Sequence, residues 1–583
     1  MVNLAYPVIK STSYSPLGLK QFTDDIKNTS TGELLLDYPT VYIIYKKNKH
    51  RMYDVYVGET NNIRQRTTQH LIEDPKVRPD WDDFRAADDT RMIVIGHDRF
   101  NKSLTLDIEN KMMLYMSGVS TVQNLNNRRE NDQNKYFTEE DRDNIFSKVW
   151  RRLRKIDENL FPVERIIQDS ALFKASPFHK LTEAQFKAKD LIQDRITHVL
   201  LENEEDQLIL VEGEAGSGKT VLLSTIFYQL HQYQMSNDHP QFSNLKLHLI
   251  VNHDEQLKVY RDILIKLGIT KSSDKDVVSK ATHFINTHRP DEKVDVVLVD
   301  EAHLLWTQGK QAYRGNNQLE DIMARARVTV AIFDPRQILK AEEYLEKTDI
   351  ENLREKSKKQ NNLIVLKNQL RMRADERTID WIRAITDGRR QVLPIHRDSK
   401  HYDLRIFDDA AEMYRQIKIK NSNQKENGIS RLVATFDWEY TQRKRSDGKY
   451  WMVTAGNLEL PWNLQLKAER TVQRLAWPEQ SQTIDEVGST YTIQGFDLNY
   501  CGVIIGPSVT YKDGRVQFNP EKSKNTNAIH QRTLADGKKV YVSDELLANE
   551  LNVLLTRGVN GLYIYAADDA LREKLLKASQ KTV

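Results

Sequence analysis

One octapeptide in this chain, Gly213-Glu-Ala-Gly216-Ser-Gly218-Lys219-Thr220, carries the residue types that hold a phosphate. Glycines let successive backbone N–H groups converge on an anion, and a helix start adds positive potential. Lys219 would reach the terminal phosphates, and Thr220 would offer its hydroxyl to Mg2+. An apolar run at 208–211 precedes the loop and another at 221–230 follows it. That strand–loop–helix order favours phosphate binding over a chance glycine-rich turn. Further on, the apolar run 294–299 ends in Asp300 and Glu301. Adjacent carboxylates after a buried strand are by themselves a solvated strand end. Paired with the loop they fit metal and water chemistry, Asp300 holding Mg2+ through water and Glu301 orienting or deprotonating the attacking water.

A second set lies near the N-terminus. Tyr42 falls in the β-branched and aromatic run 40–45, and Tyr56-Val57-Gly58 in the next short run. Arg66 and His70 follow at a spacing that puts both on one helix face, and Glu109 lies in a later apolar helical stretch. Cleaving a phosphodiester needs a base for water, a cation for the crowded phosphate, and a metal at the leaving oxygen. Arg66 could clamp the phosphate, and Glu109 could bind Mg2+ or Mn2+. Tyr42 or Tyr56 could serve as base if nearby positive charge lowers its phenol pKa from roughly 10. His70 could share that proton. The blander reading has core tyrosines, surface Arg and His, and a solvated glutamate.

The elements that must position these groups are legible in outline. The pattern predicts strands at 40–45, 55–57 and 91–96 and helices at 61–72 and 106–116, a compact α+β unit over 1–136. Residues 1–30 are turn-rich with no strong periodicity, and 137–178 reads as a charged helical connector. Strand-like runs at 208–212, 245–251, 294–299 and 328–333 then alternate with helical stretches, which predicts a parallel sheet with helices on both faces over 179–345. Similar runs at 430–436, 501–506 and 560–566 predict a second α/β unit over 346–583, with a tryptophan-bearing insertion at about 437–485.

Five further segments appear in order: Leu181-Thr-Glu-Ala-Gln185, Phe333-Asp-Pro-Arg-Gln337, Asn368-Gln-Leu-Arg371, Thr492-Ile-Gln494-Gly495-Phe-Asp497 and Leu554-Leu-Thr-Arg557-Gly558. With the phosphate loop they resemble a superfamily 1 helicase-type motor, closest to a bacterial helicase-like family related to the ATPase part of schlafen proteins, over about 180–580. Asp300-Glu-Ala-His303 also suits superfamily 2, but the closing motif of that group is missing and Thr556-Arg557-Gly558 stands instead. The resemblance implies two RecA-like lobes with ATP and Mg2+ between them. On it, Gln185 would read adenine, Gln337 would sense the γ-phosphate, and Arg371 would contact phosphate from the second lobe. Gln494 and Gly495 would couple nucleotide to nucleic acid, and Arg557 would act as the arginine finger. Arg336 departs from the pattern inside the glutamine motif.

The N-terminal unit resembles the GIY-YIG endonuclease fold, which expects Arg66 and His70 at these distances beyond Tyr56 and adds Asn124, fifteen residues after Glu109. Thr40 stands where that family usually has its first glycine. The combination implies a metal-dependent nuclease fused to an ATP-driven motor on nucleic acid, with DNA preferred over RNA and a setting in defence or repair. Two other readings are an ATP-controlled switch that gates the nuclease without translocating, and an N-terminal unit that only binds.

With 583 residues and 39% apolar content the chain can bury several cores. Its net charge, 86 − 83 = +3, excludes a strongly basic coat but not a local basic groove. No apolar run approaches a membrane span of about 20 residues, and no secretory signal pattern opens the chain, so a cytoplasmic location is expected. One cysteine, Cys501, rules out an internal disulfide framework and a multi-thiolate zinc site.

Overall fold

A computed structural model describes the chain apart from residues 1–4, 77, 128–135, 215, 236–238, 272–273, 275, 311, 367–370, 442, 444, 470–472, 474, 535–536 and 581–583. Asn368, Gln369 and Leu370 of the expected Arg371 motif thus lie outside the described residues. The chain divides into two units. One comprises 1–180 with 224–239 and 258–275, and the other 181–223, 240–257 and 276–583.

The first unit is built on a five-stranded sheet of β1 (Val8–Ser13), β2 (Thr40–Lys47), β3 (Tyr53–Thr60), β4 (Arg91–Gly96) and β5 (Val122–Leu125), in the order β1-β4-β2-β3-β5. All neighbours are antiparallel except β3 and β5. Strand side chains alternate between faces. Val41, Ile43, Val55 and Val57 therefore join one core with Ile108 and Met112 of the helix Lys102–Gly118. Tyr42, Ile44 and Tyr56 join the opposite core with Ile63, Leu71 and Trp81. The region expected to be a charged connector contributes to the core instead. Its helix Arg142–Arg154 buries Ile145, Phe146, Val149, Trp150 and Leu153 in the first of these cores, because its apolar residues recur at helical spacing beneath the charges. The turn-rich N-terminus supplies edge strand β1 and the helix Pro16–Ile26, whose start is capped by Ser15.

The second unit holds two all-parallel sheets. The first contains β6 (Gln207–Gly213), β7 (Leu247–Val251), β8 (Val278–Ser279), β9 (Val294–Asp300), β10 (Ala326–Phe333) and β11 (Leu363–Leu366), ordered β11-β6-β10-β9-β7-β8. The second contains β12 (Asp403–Ile406), β13 (Ser430–Ala434), β16 (Val487–Gly488), β17 (Leu498–Ile505) and the strand Gly558–Ala566. The residues between β13 and β16 include a small hairpin, β14 (Met452–Ala455) with β15 (Leu458–Pro461). Central strands of parallel sheets are covered on both faces, so they read as unbroken apolar runs rather than alternating ones. Val296–Val299 is such a run and Val328–Phe333 is one interrupted only by Thr329, and all of their residues are buried. This is the expected pair of RecA-like lobes. Among the described residues no helix is long and apolar enough to cross a membrane.

Candidate functional site

In the first unit, Tyr42 and Tyr56 sit on neighbouring strands with their rings on one face, centroids 6.1 Å apart. The ladder pairs Tyr42 with Gly58, and a Cβ on Gly58 would lie 2.4 Å from the Tyr42 ring. Only glycine lets the phenol cross that strand. Asn62 caps the helix Ile63–Ile72, which brings Arg66 and His70 beneath the tyrosines. Tyr42 Oη and His70 Nε2 are 2.8 Å apart, and His70 Nδ1 lies 2.5 Å from Asp74 Oδ2. Trp81 stacks on the imidazole at 3.8 Å and meets Tyr56 edge-on. Arg66, whose Nη1 donates to Gln69 Oε1 at 2.7 Å, is near enough for its charge to act on both phenols, and Glu109 for its charge to act on Tyr56. The structure thus gathers Tyr42, Tyr56, Arg66, His70 and Glu109 round one spot.

Two expectations change. Burial, followed by mutual repulsion of the two phenolates, pushes Tyr42 well above the ordinary phenol range in spite of Arg66. Burial and then Glu109 raise Tyr56 as well. Positive charge does not lower either phenol, because desolvation of the phenolate outweighs one guanidinium. Burial, then Arg66, holds the His70 imidazolium below its usual range although Asp74 opposes them. A neutral His70 with its Nδ1–H on Asp74 presents Nε2 as an acceptor to the Tyr42 hydroxyl. Asn124, expected beside the catalytic set, instead donates to Asp54 Oδ1 at 2.6 Å. Asn127 grips the strand between Tyr56 and Gly58, accepting from Val57 N and donating to Val57 O. Trp81 and Asn127 had no signal in spacing alone. A carboxylate four residues past His70 on the same helical track was the one available clue to Asp74.

In the second unit the glycine-rich loop follows β6 and opens the helix Lys219–Met235, with Thr220 as its second residue. Gly216 and Gly218 have φ of +84° and +76°, which side chains tolerate poorly. Lys219 Nζ donates to the carbonyls of Gly213 and Glu214 and lies 3.9 Å from Asp334. Gln185 caps the helix Glu183–Leu201 together with Thr182, and its Nε2 donates to the carbonyls of Ser217 and Gly218. It therefore braces the loop.

Asp300 ends β9, with Oδ2 accepting from Gln256 Nε2 at 2.7 Å. Glu301 adopts φ +51°, a left-handed conformation that costs a non-glycine residue energy and so marks a constrained spot. His303 Nε2 lies 3.0 Å from its carboxylate. Burial alone would raise the Glu301 carboxyl, but His303 foremost, then Lys219 and Arg557, hold it below its usual range. Beyond β10, Asp334 accepts from Gln337 Nε2 at 2.8 Å, and Gln337 Oε1 accepts from Arg557 Nη2 at 3.2 Å. Arg557 is fully buried and also donates to the Val553 and Phe496 carbonyls. Burial, then Arg371, brings its pKa down to about 9. Arg371 pairs with Asp497. Gly495 takes φ +85°, and a Cβ there would lie 3.6 Å from Gln256. Gln494, beside it, is buried. Lys219, Asp300, Glu301, Gln337, Arg371, Gly495 and Arg557 are thereby brought together across the two lobes, with Gln256, His303 and Asp334 as connecting residues.

Among the described residues no group of three or more His, Cys, Asp or Glu side chains is placed to cage a metal. Single carboxylates such as Asp300 and Glu109 suit Mg2+, which keeps most of its waters and takes one or two protein oxygens.

Comparison with known proteins agrees with this architecture. Residues 38–111 match the model of the GIY-YIG catalytic domain. A yeast protein, the uncharacterized YPL245W of Saccharomyces cerevisiae, is 34% identical over 409 residues, spanning 64% of this chain and 85% of that protein. Residues 206–568, more than half of the chain, match the model of the Schlafen group 3 DNA/RNA helicase domain. The chain belongs to the Schlafen group 3 helicase-domain family and carries a GIY-YIG nuclease domain ahead of that region.

Proposed function

We propose that this protein is an ATP-driven nucleic-acid motor whose N-terminal domain is a metal-dependent endonuclease, with DNA as the preferred polymer and defence or repair as its setting. The observation that carries the reading is the chain of contacts from Lys219 through Asp334 and Gln337 to Arg557, which joins the loop of one lobe to a buried cation of the other. A buried arginine is costly unless it faces an anion at some stage of a cycle, and a terminal phosphate between the lobes would supply one.

At the ATPase site the glycine-rich loop and Lys219 would hold the phosphates, while Thr220 and Asp300 would hold Mg2+, which neutralises developing charge. Glu301, kept ionised by His303, would orient the attacking water; so weak a base does little to deprotonate it. Arg557 would meet the charge of the transferring phosphoryl group. Binding energy gained across the cleft would close the lobes, and loss of phosphate would reopen them.

At the nuclease site Tyr42 would take the proton of the attacking water while passing its own to His70 Nε2. Asp74 would stabilise the resulting imidazolium through Nδ1–H. Arg66 would stabilise the charge on the crowded phosphate. Glu109 would hold Mg2+ or Mn2+, supplying positive charge at the leaving oxygen.

The test uses single-stranded, duplex and forked DNA and RNA with ATP and Mg2+ varied. Lys219→Ala should abolish ATP hydrolysis and strand displacement while nicking persists. Glu109→Ala should abolish nicking while ATP turnover persists. ATP turnover without strand displacement would favour the switch, and cleavage unchanged in Glu109→Ala would leave the N-terminal domain as a binding module.

A further inference from the structure

Glu214, the second residue of the glycine-rich loop, has no place in the phosphate-binding scheme, yet its carboxylate is held from two sides. Oε1 accepts from Arg336 Nη1 at 3.2 Å, and Oε2 accepts from Arg383 Nη2. Arg336 belongs to the turn after β10 in the first lobe. Arg383 is carried by the helix Glu376–Thr386 of the second, a helix of strong amphipathic character whose Trp381, Ile382 and Ile385 are buried. The three side chains line a small cleft together with Asp334, Met372 and Ile382. Both glutamate oxygens are therefore spent on arginines at the mouth of the loop, one arginine from each lobe. Lys219 turns its ammonium onto the loop's own carbonyls, Glu214 O included.

We propose that Glu214 is a tethered competitor for the nucleotide's terminal phosphate, and that Arg383, with Arg336, is a phosphate-recognising residue that Glu214 releases when a triphosphate binds. The proposal rests on the reading that the loop binds ATP. The charges argue for it. A carboxylate and a phosphate are both oxyanions with the fork geometry that guanidinium prefers, so either satisfies the pair, but not both at once. A triphosphate brings several negative oxygens against a single carboxylate and should displace it. Arg383 lies on the second lobe, so the exchange ties nucleotide arrival to the relation between the lobes. It also explains why the glutamine motif departs from its usual form at Arg336, which serves the same anion as Arg383.

The experiment is a titration of the full chain with fluorescent ATP and ADP analogues, for wild type, Glu214→Gln, Arg383→Ala, the double variant and Lys219→Ala. Glutamine keeps the shape but not the charge. Glu214→Gln should tighten ATP binding roughly two- to fivefold, the worth of a part-exposed ion pair, with a smaller effect on ADP. Arg383→Ala should weaken ATP binding roughly tenfold or more, as expected for loss of a charge-assisted contact to phosphate. In the double variant the gain from Glu214→Gln should shrink, because one of its two arginine partners is gone and only Arg336 is left to be released. Unchanged or weaker ATP binding by Glu214→Gln, or equal losses of ATP and ADP affinity in Arg383→Ala, would overturn the proposal. Absence of any Lys219-dependent ATP binding by wild type would instead sink the ATP-site reading, and the proposal with it.

Discussion

Asp74→Asn is the most pointed perturbation of the proposed nuclease site. The imidazole of His70 is almost wholly buried and has two polar partners, Tyr42 Oη and the Asp74 carboxylate. The carboxylate can only accept, so it holds the proton on Nδ1 and leaves Nε2 free to receive the one from Tyr42. Asparagine can turn its amide N–H toward Nδ1, which stabilises the other tautomer and blocks that transfer. Positioned acid–base groups contribute roughly 10²- to 10⁴-fold to a rate. Asp74 is about one-fifth exposed, so water can partly replace it, and the lower end, a loss of about 10²-fold, is expected. The assay is single-turnover nicking of plasmid DNA with saturating Mg2+ or Mn2+, across pH. Asp74 opposes burial and Arg66 in setting the His70 pKa. Its loss should therefore move the acid limb of the rate profile to lower pH while the plateau falls. ATP turnover should not change, and the thermal midpoint should stay close to wild type. Nicking at the wild-type rate with an unmoved acid limb would refute the Tyr42–His70–Asp74 relay.

Two further predictions concern packing and pH. Gly58→Ala places a methyl 2.4 Å from the Tyr42 ring across a fully paired ladder, so it should destabilise the first unit by about 1–3 kcal/mol and abolish nicking; a melting profile and cleavage rate equal to wild type would contradict the close approach. Burial, then Asp437, raises the Glu550 carboxyl to about 7 from a usual value of 4.5. The folded state thus favours the protonated form: its contribution is complete below about pH 4.5 and is lost as pH rises through 7, about 3 kcal/mol in all. Thermal melts of the second unit's transition from pH 5 to 8 should slope downward, and Glu550→Gln should flatten that slope; a variant with the wild-type slope would show that another group is responsible.

Much of this architecture is legible in the chain alone, for physical reasons that differ between the two units. Parallel strands buried on both faces must be continuous apolar runs, so β6, β9 and β10 announce themselves, and the loop after β6 needs glycines and a lysine wherever it occurs. Short or edge strands do not: β1, β5 and β12 carry mixed residues because pairing and one covered face suffice to hold them. The helix Arg142–Arg154 resembles a solvated connector because charge dominates its composition, whereas burial depends on which face the apolar residues share.

Residue types and their intervals along the chain pointed to the GIY-YIG domain and the Schlafen group 3 helicase domain, and to the tyrosines, Arg66, His70, Lys219 and Arg557 as the candidate residues within them. Tertiary structure alone decided how those groups are tuned. Burial raises the phenols that a nearby guanidinium was expected to lower. Asp74 lies against His70 Nδ1, and Asn127 rather than Asn124 secures the Val57 backbone. Glu214 meets arginines more than a hundred residues away in sequence. The reason is common to all of them: desolvation and through-space charge depend on what surrounds a group in three dimensions, and spacing along one element says nothing about the elements folded against it.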